Sequence, residues 1–311
     1  MILVILVPAL WVPGPGRSPD PGPLGTMLLF RPFEAWFLAF PWAAWITGVA
    51  ITLGSAIWID VLANRVELFE RRNHLPALLF PIVLSMAPGG ASCDPALLGM
   101  PFVVFALGRI WSIQGKMRAF AAIFDAGSLI GISALFYLPY AFLLVVLLAS
   151  VSVMRSFSLR EFLTPLLGFS TVLFLAWMFG ALFLGPGHVL DPSISSLPLP
   201  AQERVPQWLL IAAALVFLPF LFYAVVSFST VYGRSVMSEK NLRSSILALL
   251  AASIPIVVFE LFTGGRFPMA LVALPMSLFL TYPFQLLQRT WLAELILLAM
   301  LATAGMMRWM A

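Results

Sequence analysis

"AFLLVVLLASVSVM", residues 141–154, decides the fold class. The run is long, and polar residues do not alternate through it, as they would in a barrel strand of about 9–11 residues. It therefore reads as a helix. Composition supplies the medium around it. The chain has 311 residues, of which 62% are hydrophobic and 10% charged, with a mean hydropathy of +1.03. Soluble domains carry roughly 25% charged and 45–50% apolar residues, so this chain lacks the polar side chains to cover a water-facing exterior. Lipid removes that requirement, provided the backbone bonds to itself within helices. The fold class is thus all-α: a polytopic transmembrane helical bundle.

Working outward, we count eleven candidate spans: 1–13, 37–60, 75–88, 95–112, 120–137, 139–154, 162–185, 207–232, 245–263, 267–283 and 290–307. Several fall short of the ~20 residues that cross a hydrocarbon core of ~30 Å. The first span, "MILVILVPALWVP", has the length of a signal-peptide core but no basic residue before it and no small-x-small cleavage site, so it is expected to be retained. With the N-terminus inside, alternation puts Arg65, Arg71, Arg72, Arg109, Lys116, Arg118, Arg155, Arg160, Arg234, Lys240, Arg243 and Arg289 in the inner loops. Arg17, Arg31, Arg204, Arg266 and Arg308 are then outside, a split of twelve to five that accounts for all 17 basic residues. The positive-inside rule favours this orientation, with the C-terminus outside.

The whole of 1–311 reads as one membrane domain, with a first outer loop at 14–36 and a second at 186–206. "GPGRSPDPGPLGT" (14–26) is too rich in proline and glycine for a helix. The apolar, aromatic "MLLFRPFEAWFLAF" (27–40) that follows suits a short helix at the membrane interface. "LPALLFPIVLSMAP" (75–88) and "FPMALVALPMSLFLTYP" (267–283) form a weak internal echo: both are short, both carry spaced prolines, and they run in opposite directions. Such inverted, proline-broken pairs occur in transporters, although two segments also match by coincidence. In "ERRNHLPALLFP" (70–81), Arg71, Arg72 and His74 sit at the inner headgroups. Pro76 falls in the first helical turn, where its missing N–H costs little, and Pro81 kinks the helix. That segment is a topology anchor or a basic site for an anionic lipid headgroup.

The net charge of +4 and pI near 9.6 come from membrane-flanking Arg and Lys, and no basic patch is interleaved with aromatics. No nucleic-acid partner is expected; membrane lipids are. The single Cys93 excludes an internal disulfide and a cysteine-based zinc site,. His188 and Asp191, three apart in a loop, do not define a metal site. No P-loop, Rossmann or Ser/His/Asp signature appears, so neither metal nor cofactor is expected.

Three motifs stand in order along residues 60–170: Asn73-His-Leu-Pro-Ala-Leu, Phe124-Asp-Ala-Gly-Ser-Leu-Ile-Gly and Arg155-Ser-Phe-Ser-Leu-Arg-Glu. That order resembles an uncharacterised family of bacterial polytopic inner-membrane proteins. A more distant similarity, in span count, orientation and a short helix pair before a long helix, is to the GT-C membrane glycosyltransferases. That resemblance implies a transferase using a polyprenyl-phosphate-linked sugar, with its site at the outer face and an acid on the first outer loop. The Asp-Glu dyad those enzymes carry directly after the first helix is absent; Asp20 and Glu34 are the acids on that loop.

Sugar transfer from a lipid phosphate needs a base for the acceptor and cations for the departing phosphate. Glu34 or Asp20 are the candidate bases, and Arg31, Arg204 and Arg266 the candidate lipid-phosphate ligands. Glu34 and Arg31, at i and i+3, equally form a structural pair, and Asp20, between two prolines, suits a turn. Three acids fall within spans, where an ionisable residue is a functional hypothesis. Glu260 can pair with Arg266, Glu294 can face Arg289, and Asp125 suits an ion pair near the inner surface. Gly127 and Gly131 form a G-x-x-x-G that permits close helix contact. Three readings follow: a GT-C-like or degenerate glycosyltransferase, a transporter or flippase for a lipid-linked substrate, and a non-catalytic membrane scaffold.

Overall fold

The structure, a computed structural model, describes residues 2–11, 28–86, 93–115, 119–155, 158–183, 207–262, 269–287 and 289–310. Among them there is no β-strand; the helices are α1 (Ile2–Trp11), α2 (Arg31–Ala39), α3 (Pro41–Arg65), α4 (Leu75–Ser85), α5 (Pro95–Trp111), α6 (Phe120–Phe136), α7 (Leu143–Met154), α8 (Leu159–Phe183), α9 (Gln207–Arg234), α10 (Met237–Phe262), α11 (Met269–Phe279), α12 (Thr281–Leu286) and α13 (Thr290–Met310), with a 3-10 turn at Leu138–Phe142 before α7. Six segments are long and apolar enough to cross a membrane: α3, α8, α9, α10, α11 with α12, and α13. Five shorter apolar helical segments stand where the remaining predicted spans were placed. The chain is a multi-pass membrane protein by these six helices.

Burial sorts the helices into an inside and a rim. α8, α9 and α13 are mostly uncovered, with Leu167, Phe174, Leu182, Leu218, Phe222 and Leu298 all exposed. Apolar side chains in that position require lipid. At the centre lie α4 and α11, in contact with each other. α4 is buried at nearly every position from Pro76 to Ser85, and α11 from Ala270 to Phe279 at all but two. Each contains a proline, Pro81 and Pro275. A buried proline withdraws one N–H from the helix ladder, and near each one a hydroxyl bonds back one turn along the chain: Ser85 Oγ donates to the Pro81 oxygen at 2.8 Å, and Thr281 Oγ1 to the Ser277 oxygen at 2.8 Å.

Glycines set the closest approach. A Cβ on Gly127 would fall onto the Pro165 carbonyl oxygen, and one on Gly168 onto that of Phe124. One on Gly131 would lie 3.0 Å from Val172 Cβ. The Ser128 hydroxyl bridges the seam, donating towards the Phe124 and Gly168 oxygens at 3.1 and 3.3 Å. The G-x-x-x-G of α6 is therefore a contact surface for α8, as its spacing implies. On the other flank Gly48 admits the Trp11 ring of α1, and Trp45 Nε1 donates to the Trp11 oxygen at 2.8 Å.

Side-chain contacts group the helix ends. Trp111 Nε1 donates to Ser245 Oγ at 2.7 Å, Gln114 donates to the Ser238 oxygen at 2.6 Å, and the Phe69 and Tyr282 rings lie 5.2 Å apart. These link the loops after α3, α5, α9 and α12 at one end, which carries most of the Arg and Lys residues and is called the basic end below. At the opposite end the Leu29 N–H donates to the Leu135 oxygen at 3.2 Å, and Tyr140 OH donates to the Ala96 oxygen at 2.6 Å. There Asp94 caps α5, accepting from the Leu97 N–H at 2.7 Å. Burial, reinforced by the Asp94 charge, raises the Cys93 thiol pKa well above its ordinary range. Because the thiolate is the reactive form, we expect maleimide at neutral pH to label Cys93 at least about tenfold more slowly in the native protein than after unfolding in SDS. Equal rates would refute that placement of the side chain.

Candidate functional site

The polar residues that the described structure brings together lie at the basic end. The loop from α3 to α4 is built around two asparagines. Asn64, in the last turn of α3, donates from Nδ2 to the Asn73 and Asp60 backbone oxygens, each at 3.0 Å, and accepts from the Asn73 N–H at 3.3 Å. Asn73 Oδ1 accepts from the Leu75 N–H at 3.3 Å, which opens α4 with Pro76 in its first turn. His74 Nδ1 lies 2.7 Å from Asp60 Oδ2. The Asn-x-Leu-Pro motif is thus a loop clamp followed by a helix start. Inside the loop, Glu67 takes a φ of 52°, a left-handed conformation uncommon for a residue with a side chain.

This loop and the start of α10 enclose a cavity of about 390 Å³ lined by Asn64, Glu67, Phe69, Glu70, Arg72, Glu239 and Arg243. Arg243 is only 2% exposed. Its Nη1 lies 3.0 Å from Glu239 Oε2, one helical turn earlier, and its guanidinium carbon lies 5.9 Å from the centre of the Tyr282 ring. The Glu239 contact is ionic but poorly aligned: neither Nε nor Nη1 of Arg243 makes a well-aligned hydrogen bond. A charged donor in such surroundings is costly unless something accepts from it.

The two other motifs, also at the basic end, are held by charge as well. Arg109 Nη2 lies 3.3 Å from Asp125 Oδ2, between two largely exposed side chains. Asp125 was expected to form an ion pair, and it does, with the last turn of α5. Arg155 Nη1 lies 3.2 Å from Glu161 Oε1 across the α7–α8 connection, with the two side chains only 19% and 10% exposed. Glu161 also sits in the first turn of α8, where the helix dipole favours an anion,.

The outer-face candidates fare differently. Asp20, Arg204 and Arg266 lie outside the described residues, as do His188 and Asp191. Arg31 and Glu34 belong to α2, the predicted short helix, and Glu260 to the last turn of α10; for these three only the backbone is described. Glu294 is exposed on α13, and the expected pair with Arg289 is not among the described ion pairs. Among the described residues no group of three His, Cys, Asp or Glu side chains could hold a metal ion.

Arg243 was the residue that sequence reasoning passed over. In the sequence it stands only as an inner-loop charge, because the ninth apolar span reads as beginning at 245. α10 begins at Met237, which puts Arg243 in the helix body. The available signal was Glu239 four residues earlier, an i,i+4 partner for an arginine entering an apolar run.

No curated protein and no solved structure matches the chain. A family model described as a family of unknown function covers residues 25–309, from just before α2 to the end of α13. The chain therefore belongs to this family, DUF6427.

Proposed function

We propose that this multi-pass membrane protein is a transporter or flippase for a lipid-linked substrate, set in a bacterial inner membrane with its basic end in the cytoplasm. One observation carries the reading: α4 and α11, two short proline-containing helices that run in opposite directions, pack against each other at the centre of the bundle. Transporters place interrupted helices from opposed halves at their substrate path. A bundle that only had to stand in the membrane would be served by full-length helices there. The gathering of arginines at one end supports the orientation.

The test is reconstitution of the purified protein into vesicles carrying a fluorescent polyprenyl-phosphate lipid, followed by a membrane-impermeant quencher. Transport predicts loss of the protected inner-leaflet signal, slowed in a Pro81→Leu/Pro275→Leu variant. A protected fraction equal to that of protein-free vesicles would sink the reading. Orientation is checked separately in a Cys93→Ser background: Lys116→Cys should be labelled only after the membrane is opened, and Ser195→Cys from outside intact cells. Labelling of both from the same side would overturn it.

A second reading is a GT-C-like, or degenerate, glycosyltransferase acting on a polyprenyl-phosphate-linked sugar at the outer face. The observation favouring it is α2, a helix at the end opposite the basic loops that carries Arg31 and Glu34. It is anchored by Phe37, which is buried in a cluster with Phe30, Ala44, Leu98 and Phe136. In this reading Glu34 or Asp20 is the base, Arg31, Arg204 and Arg266 hold the phosphate, and Glu260 lies near the same end. Loss of a general base lowers turnover by about a hundredfold or more, so Glu34→Ala, Asp20→Ala and Glu260→Ala should include one variant that abolishes the glycolipid product. If all three leave it unchanged, the enzyme reading fails; if transport fails as well, a membrane scaffold is what remains.

A further inference from the structure

The basic-end cavity carries charges of both signs, sorted by depth. Arg243 is at the buried end, beside Phe69 at 7% exposure, while Glu67, Glu70 and Arg72 are exposed. Arg243 lines the cavity there, and its contact with Glu239, through Nη1, is ionic and poorly aligned. Such a donor calls for an oxyanion. A plain anion, however, would also meet the carboxylates of Glu67, Glu70 and Glu239, which outnumber the two guanidiniums. A group that joins a phosphate to an ammonium answers both: phosphate oxygens inward on the arginine, ammonium outward on the exposed glutamates. The cavity opens at the loops where the candidate spans end, the level of lipid headgroups,.

We propose that this cavity binds an amino-phosphate group, with its phosphate on Arg243 and its ammonium on Glu67 and Glu70. Two sources offer that chemistry, the headgroup of a zwitterionic phospholipid and the same group free in solution. The inference does not depend on the transport reading, since a scaffold or an enzyme can hold such a group equally well.

The experiment measures the thermal midpoint of the full chain in detergent against four probes: dihexanoyl phosphatidylethanolamine, dihexanoyl phosphatidylglycerol, free O-phosphoethanolamine and inorganic phosphate. The ethanolamine lipid should raise the midpoint more than the glycerol lipid at equal concentration. A matching shift from free O-phosphoethanolamine assigns the soluble group, and a shift from the lipid alone assigns the headgroup; either upholds the chemistry. Arg243→Lys should weaken binding about tenfold, because a point charge replaces a planar fork of donors. Because Arg243 is buried and its replacement also disturbs packing, the deciding variant is the exposed pair Glu67→Gln/Glu70→Gln, which should keep lipid binding but lose the preference for ethanolamine over glycerol. Equal shifts from the two lipids in the wild type, no shift from any probe, or an unchanged preference in the glutamine variant would each overturn the proposal.

Discussion

Gly127→Leu is expected to destabilise the bundle by about 3 kcal/mol or more, at the upper end of what overpacking costs in a close-packed interior. The reason is geometric. The atom that a Cβ would strike is the backbone oxygen of Pro165, which cannot rotate away as a side chain would. α8 as a whole must retreat, and the contacts around Gly131 and Gly168 loosen with it. Gly54→Ala is the control. Nothing lies within 4 Å of a Cβ at that position in α3, so the change should fall within about 1 kcal/mol of neutral, on the favourable side, because alanine is the better helix former. Thermal unfolding in detergent measures both. Similar midpoints for Gly127→Leu and Gly54→Ala would mean that α6 and α8 do not meet at these glycines.

Arg155→Ala is expected to cost about 3 kcal/mol, by leaving the Glu161 carboxylate nearly buried and without its cation. Arg109→Ala supplies the contrast: that pair with Asp125 is 57% and 42% exposed, and exposed pairs contribute about 0–1 kcal/mol. The double variant Arg155→Ala/Glu161→Ala should recover part of the single loss, since it removes the stranded charge along with its partner. If Arg155→Ala unfolds no earlier than Arg109→Ala, the Arg155–Glu161 contact does not hold α7 to α8.

Much of this architecture could be read before any coordinates. Each of the eleven predicted apolar spans coincides with a helical segment, because unbroken hydrophobic runs leave the backbone few alternatives. The α6–α8 seam was legible because glycines four apart in an apolar helix have few uses besides close packing. Partner choice was harder. Asp125 was seen as one half of an ion pair, but its arginine comes from α5, which only the packing of the bundle places alongside. Glu294 was set against Arg289 on sequence proximity, and both side chains are exposed. Arg243 shows the limit most plainly: twelve inner basic residues look alike in sequence, and which of them is closed over depends on how α10 meets the α3–α4 loop.

The central pair also constrains how the protein is made. At about 1.5 Å per residue, α4 measures roughly half the thickness of a bilayer, so it cannot settle as an independent span when it leaves the ribosome. The helix that covers it, α11, is translated only after six further helices, α5 to α10. Until then the nascent polypeptide holds an unfilled seat, and a ribosome that stalls before Met269 leaves behind a bundle with no keystone, a natural substrate for membrane quality-control proteases.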